Sequence, residues 1–269
     1  MTAGRYGAMF ERLRARREGA FGAFLMLGDP DLETSARLLR AAADAGSDML
    51  EVGIPFSDPI ADGPVIQAAA DRALKTGVTP GDCLALLGEF RADYPDIPIG
   101  ILTYANIVMA RGRDSFYGAS AQVGLDSMLV ADVPVFEAEP FVEAARARNI
   151  DPILIAAPNT PDHVLAQMGQ LASGYTYCVA RAGVTGEKEE LDLQHKSLFE
   201  ALERHGAPPP VLGFGISRPD HVKKALAAGA AGVISGSAIV RRIEDHLDDP
   251  EQMIREVSEF IKEMKAATL

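Results

Sequence analysis

Eight short apolar runs punctuate the chain, and segments with helical periodicity follow them. The runs are AFGAFLML from Ala20, DMLEVGIP from Asp48, IPIGILTY from Ile97, DSMLVADV from Asp126, DPILIAAP from Asp151, YTYCVAR from Tyr175, PVLGFGIS from Pro210 and AGVISGSA from Ala231. Because they are apolar throughout rather than alternating, they suit strands covered on both faces, as in a parallel sheet. Between them, Thr34–Gly46, Thr79–Tyr94, Val135–Asn149, Thr160–Ala172 and Arg218–Ala230 each open on a polar or Pro-containing start and place apolar residues at helical spacing. Several end at Gly or Asn, the usual helix stops. Met9–Gly19 predicts an extra N-terminal helix over the barrel floor, and Glu251–Thr268 predicts the last helix. Strand-then-helix units, eight in series, point to an α/β fold of the (β/α)₈ (TIM) barrel type, whose sites lie at the C-terminal ends of the strands. No Ser/Gly- or Pro-rich linker interrupts the pattern, so a single domain over 1–269 is expected.

Composition narrows what the barrel does. A net charge of -12 opposes attachment to nucleic acid or an anionic membrane, and it leaves any phosphate site to local backbone donors. The two cysteines, Cys83 and Cys178, are too few for a disulfide framework and read as small buried residues. Arg12, Arg14, Arg16 and Arg17 precede the apolar run Ala20–Leu27 in a way that imitates a signal peptide. That run lacks a cleavage pattern and falls far short of the ~20 apolar residues of a membrane span, so a cytoplasmic protein is expected.

Strand-end position serves as a filter for chemistry. His163, His195, His205, His221 and His246 all fall in helical segments and are expected to be solvated, which argues against a metal site or a catalytic triad. The seven lysines lie in helices or loops, which disfavours a Schiff-base aldolase. Proton transfer is left to carboxylates and tyrosines.

Among the carboxylates Glu51 stands out. Strand alternation turns Met49, Glu51 and Gly53 into the barrel if Leu50 and Val52 face the helices. An unpaired carboxyl there has its pKa forced upward and suits general acid–base work; the alternative is a structural ion pair, for instance with Arg181. Asp58 and Asp62 follow on a Pro- and Gly-rich loop, either as turn residues or, for Asp62, as the second carboxylate of a pair. Glycines in GFGIS (Gly213–Ser217) and SGSA (Ser235–Ala238), joined by RAGVTG after the sixth run, form either tight turns or a phosphate cradle of backbone N–H groups. Polar Gly183–Gln194 reads either as a lid over that cradle or as an ordinary solvated loop.

Taken in order, LGDP at Leu27–Pro30, LEVGIPFSDPIADGP at Leu50–Pro64, YAN at Tyr104–Asn106, VADVP at Val130–Pro134, RAGVTG at Arg181–Gly186, GFGIS and ISGSAIV resemble the tryptophan synthase alpha subunit family over nearly the whole chain. The resemblance implies retro-aldol cleavage of indole-3-glycerol phosphate to indole and glyceraldehyde 3-phosphate, a carbon–carbon lyase reaction without metal or organic cofactor. It implies Glu51 as the general acid–base, Asp62 as the residue binding the indole N–H, and Tyr177 as a supporting polar group. Phe24, Leu102, Leu129 and Phe214 would line the indole pocket. Gly186, Gly215, Gly236 and Ser237 would hold the phosphate, and Thr185 would orient Asp62 as the lid closes. It also implies a pyridoxal-phosphate-dependent beta subunit as partner in an alpha2-beta2 heterotetramer, docked on Pro55–Asp62, Asn106 and VADVP. Two rivals are a different phosphate-binding barrel enzyme, such as a sugar-phosphate isomerase or aldolase, and a non-enzymatic allosteric activator of the partner.

Overall fold

A computed structural model describes residues 4–179, 188–213 and 215–269. Its sheet contains nine strands: β1 (Ala20–Met26), β2 (Met49–Gly53), β3 (Ile99–Thr103), β4 (Ser127–Val130), β5 (Asp151–Pro152), β6 (Leu154–Ala156), β7 (Thr176–Cys178), β8 (Pro210–Leu212) and β9 (Gly232–Ser235). All pairs are parallel, and the order β5-β4-β3-β2-β1-β9-β8-β7-β6 runs around a barrel. Every residue of β1, β2 and β9 is buried, as two-sided coverage requires.

Nine strands arise from eight apolar runs because the fifth run divides. Asp151 and Ile153 donate their N–H groups to Asp126 and Met128 on the β4 side. Pro152 faces the opposite edge, where its carbonyl accepts from Ser173 but no N–H exists to donate. Pairing with β7 therefore starts only at Leu154, and one run joins the sheet on both sides as two short strands.

Helices occupy every expected segment, and among the described residues five more appear: Pro64–Lys75, Ala105–Ala110, Arg113–Gln122, Lys188–Arg204 and Ser237–Glu244. Pro64–Lys75 opens with Pro at its first position directly out of the Pro/Gly loop and buries Ile66, Ala69, Ala70 and Ala73. That buried stripe keeps helical spacing, but three of its four residues are alanines, so its apolar signal in the sequence is weak.

The N-terminal helix is Arg5–Arg16, and it lies across the strand N-termini with Tyr6, Met9, Phe10 and Leu13 buried. The Tyr6 hydroxyl shares a hydrogen bond of 2.8 Å with Ser127 Oγ at the start of β4. Nearby, the Asp126 carboxylate accepts from Arg5 at 2.8 Å, Arg91 at 2.6 Å and the Ile99 N–H at 2.8 Å. Losing one side of a buried ion network strands the other charges. Asp126→Ala is expected to cost about 3 kcal/mol of stability, read by urea denaturation; an unchanged midpoint would remove the network from the account of the floor.

Candidate active site

Glu51 sits in β2 in register with Phe24 of β1 and Gly100 of β3, with 2 % of its surface exposed. Its Oε1 accepts a hydrogen bond of 3.0 Å from the Tyr175 hydroxyl. Burial pushes its pKa up to about 8, against the lowering effect of the Tyr175 bond, and the nearby Asp62 charge raises it further. Such a carboxyl holds its proton at neutral pH inside an apolar wall.

Tyr175 had no role on sequence grounds, whereas Tyr177 did. Residues two apart at a strand share a face, so the YTY pattern already aims both rings inward. The Tyr177 hydroxyl donates instead to the Gly213 carbonyl at 2.9 Å, although its ring still lines the cavity. A Cβ at Gly213 would collide with that ring, so glycine is what lets Tyr177 lie there. Arg181 lies outside the described residues, and the partner of Glu51 that the structure does show is a neutral phenol.

A cavity of about 210 Å³ opens above Glu51. Phe24, Leu102, Ile66 and Ile234 give it apolar walls, and Asp62 enters from the loop after β2. Half-buried Asp62 is hydrogen-bonded by Tyr104, and its pKa is raised by burial against the lowering effect of that bond. Tyr104 also accepts the Ala61 N–H at 3.2 Å, which pins the loop. Asp58 is exposed and takes the Ser57 hydroxyl at 2.5 Å, as a turn residue does. Leu129 is in register with Leu102 and buried, but the cavity wall ends at Leu102. Ile66 and Ile234 carry little signal in the sequence: one lies in the first turn of the helix after the Asp62 loop and the other precedes SGSA.

The opposite end of the cavity is formed by Gly213, Gly215, Ser217, Gly236 and Ser237. Gly236 caps the helix Ser237–Glu244, so the N–H groups at that start have no acceptor within the helix. Gly215 has φ +76°, a conformation that favours glycine. Ser235 Oγ donates to the Ile216 carbonyl at 2.6 Å and ties this loop to β9. Free N–H groups and glycines set together in this way can receive an anion without a lysine. Phe214, Thr185 and Gly186 lie outside the described residues, as does the segment 183–187 of the expected lid. From Lys188 onward the remainder of that polar stretch is helix, not loop.

One of the five histidines, His195, departs from the expected solvated state by burial, and a second, His221, turns back to the site. His195 is buried and stacks near Phe199, with ring centroids 6.0 Å apart. His221 stands one helical turn beyond the seventh run, 2.8 Å from the Gly215 carbonyl. Among the described residues no group of three or more His, Cys, Asp or Glu is placed to hold a metal ion. Cys83 and Cys178 are buried and unpaired, with burial raising both thiol pKa values.

Tyr175 gives the site a testable handle. Tyr175→Phe removes a donor that lowers the Glu51 pKa, so the alkaline limb of the activity profile should move to higher pH and turnover should fall by about three- to tenfold, the weight of one hydrogen bond. An unmoved limb would separate Tyr175 from the carboxyl.

Comparison with known proteins gives the family of the chain. A family model described as tryptophan synthase alpha chain matches residues 10–269. The tryptophan synthase alpha chain of Vibrio vulnificus is 50 % identical over 264 residues, covering 98 % of both chains. The crystal structure of tryptophan synthase subunit alpha from Legionella pneumophila superposes with a TM-score of 0.91 at 28 % identity, covering 99 % of each chain. A chain of the tryptophan synthase complex from Pyrococcus furiosus gives 0.82 at 33 %, covering 93 % of this chain and 98 % of that one. With a matched model over most of its length and half its residues shared with such relatives, the chain belongs to the tryptophan synthase alpha chain family.

Proposed function

We propose that Glu51 and Asp62 carry out the cleavage of indole-3-glycerol phosphate to indole and glyceraldehyde 3-phosphate, the lyase reaction of the alpha chain. Indole is a poor carbon leaving group until C3 takes a proton. Glu51, protonated at neutral pH, delivers that proton, and the indoleninium cation so formed becomes the electron sink. The Glu51 carboxylate then removes the proton of the glycerol hydroxyl next to the bond. The carbon–carbon bond breaks, its electrons neutralise the cation, and Glu51 ends protonated as it began. Asp62 stabilises the cation through the indole N–H, an electrostatic contribution that grows as water is excluded.

The single observation that carries this reading is a buried, proton-holding Glu51 facing Asp62 across an apolar cavity that ends in glycines. Phe24 and Leu102 hold the ring in it, with Tyr177 as a polar support and Leu129 behind the wall. Gly215, Gly236 and Ser237 bind the phosphate with Gly186; Thr185 belongs to the lid and Phe214 to the indole pocket. The reaction needs no metal or organic cofactor from this chain, and pyridoxal phosphate belongs to the beta subunit.

That subunit is the partner that receives the indole for L-tryptophan synthesis, in an alpha2-beta2 heterotetramer. Large apolar side chains exposed on loops or helices that follow the C-termini of β2, β3 and β4 include Ile60 at 82 %, Met109 at 52 % and Phe136 at 74 %. They lie within or beside the segments expected to dock, and they supply apolar anchors for it. No helix among the described residues is long and apolar enough to cross a membrane; a cytoplasmic location accords with this and with two unpaired thiols. The test is to supply the purified chain with indole-3-glycerol phosphate and follow indole, with and without a beta subunit. Release of indole by the chain supports the lyase reading; none in either condition leaves only an activator of the partner.

A further inference from the structure

We propose that His221 is a positioning residue for the phosphate cradle, holding the Gly215 carbonyl, and that Arg218 selects the ring form able to do so. This deepens, and rests on, the reading of the glycine-lined end as the phosphate site.

The local problem is Gly215. Its φ of +76° belongs to a residue with unusual backbone freedom, and among the described residues beyond its chain neighbours no atom lies within 4 Å of where its Cβ would be. Side-chain packing from the described residues therefore does little to hold Gly215, and a cradle that must be ordered on binding spends binding energy on it. Two tethers act on successive carbonyls: Ser235 Oγ on that of Ile216 at 2.6 Å, and His221 Nδ1 on that of Gly215 at 2.8 Å.

A carbonyl only accepts, so the second bond requires a proton on Nδ1. On the other side of the ring an Arg218 amino nitrogen lies 3.1 Å from Nε2. A guanidinium only donates, so Nε2 must present its lone pair. Both contacts select the same neutral tautomer. Ser217 approaches Nδ1 with its N–H at 3.4 Å and its hydroxyl at 3.5 Å. The Ser217 N–H contact favours the opposite tautomer, but it is longer than the two that oppose it and would set the Gly215 oxygen against a lone pair. Arg218, His221 and Gly215 thus form one chain of donors and acceptors, anchored on the first turn of the helix Pro219–Ala227.

The experiment measures steady-state cleavage by the full-length chain, with inorganic phosphate and indole as separate inhibitors. His221→Leu should raise KM and the inhibition constant of phosphate by about three- to tenfold, as expected for one hydrogen bond. Its kcat should change by less than about twofold and its indole inhibition should stay as it was, because neither depends on the cradle. His221→Asn, whose amide N–H takes the place of Nδ1–H, should recover most of the loss. Arg218→Leu should weaken phosphate in the same direction and by less. Unchanged phosphate inhibition in His221→Leu, or an Asn variant as impaired as the Leu variant, overturns the inference while leaving the cradle in place. Failure of phosphate to compete in the wild-type chain overturns the cradle and the inference together.

Discussion

Glu51→Gln is expected to fold as the wild type does and to release indole more slowly by at least about 10²-fold, the lower end of what a positioned acid–base contributes. Glutamine fills the same space and accepts the Tyr175 bond, yet has no proton to give to carbon. Wild-type cleavage should also decline at alkaline pH with an apparent pKa near 8, as Glu51 loses the proton it must deliver, and the residual activity of the variant should lack that limb. Stability should shift in a linked way. The unfolded carboxyl titrates near 4.5 and the folded one near 8, so folding takes up a proton between those values. The contribution of Glu51 is thus fully present below pH 4.5 and is lost as pH rises through 8. Measured by denaturation at pH 5 and pH 9, wild type should lose a few kcal/mol more than the variant, at about 1.4 kcal/mol per unit of pKa difference. Near wild-type turnover in the variant would reject Glu51 as the acid–base.

Asp62→Asn should lose less, about ten- to a hundredfold, because the amide keeps the hydrogen-bonding geometry and removes only the charge facing the developing cation. The loss should shrink with a substrate analogue that has no ring N–H, whereas the loss in Glu51→Gln should be the same with both compounds. Equal losses for the two variants on every analogue would mean that the carboxylates do not hold distinct roles. Because Asp62 sits on the loop pinned by Tyr104 through Ala61, its side chain is held in place by that contact as well as by its own bond to Tyr104.

How far such a site is visible in the sequence depends on the kind of signal each residue leaves. Glu51 was legible because a charge inside an apolar run breaks a pattern, and alternation says which way it points. The glycines of the cradle were legible as a pair at neighbouring strand ends. Tyr175 was not, because a tyrosine in a buried strand reads as packing until its hydroxyl is seen to face a carboxyl across the barrel. His221 was discounted by its place in a helix; one turn of that helix is enough to bring it back to the loop, which spacing along the chain does not reveal. The division of the fifth run at Pro152 was likewise hidden, since a proline in a strand costs something only on the edge where its missing N–H was needed. The helix Pro64–Lys75 escaped because three of the four residues on its buried, helically spaced stripe are alanines, whose apolar signal is weak.

The N-terminal helix does more than close the bottom of the barrel. The ring of Tyr6 lies 5.3 Å from that of Tyr175, whose hydroxyl holds Glu51, so the proton donor is propped from below by a segment that precedes the first strand. Grafting the upper loops of this enzyme onto a foreign eight-stranded scaffold would therefore transplant the ligand contacts and leave the acid unsupported; a working chimaera must carry its cellar along with its roof.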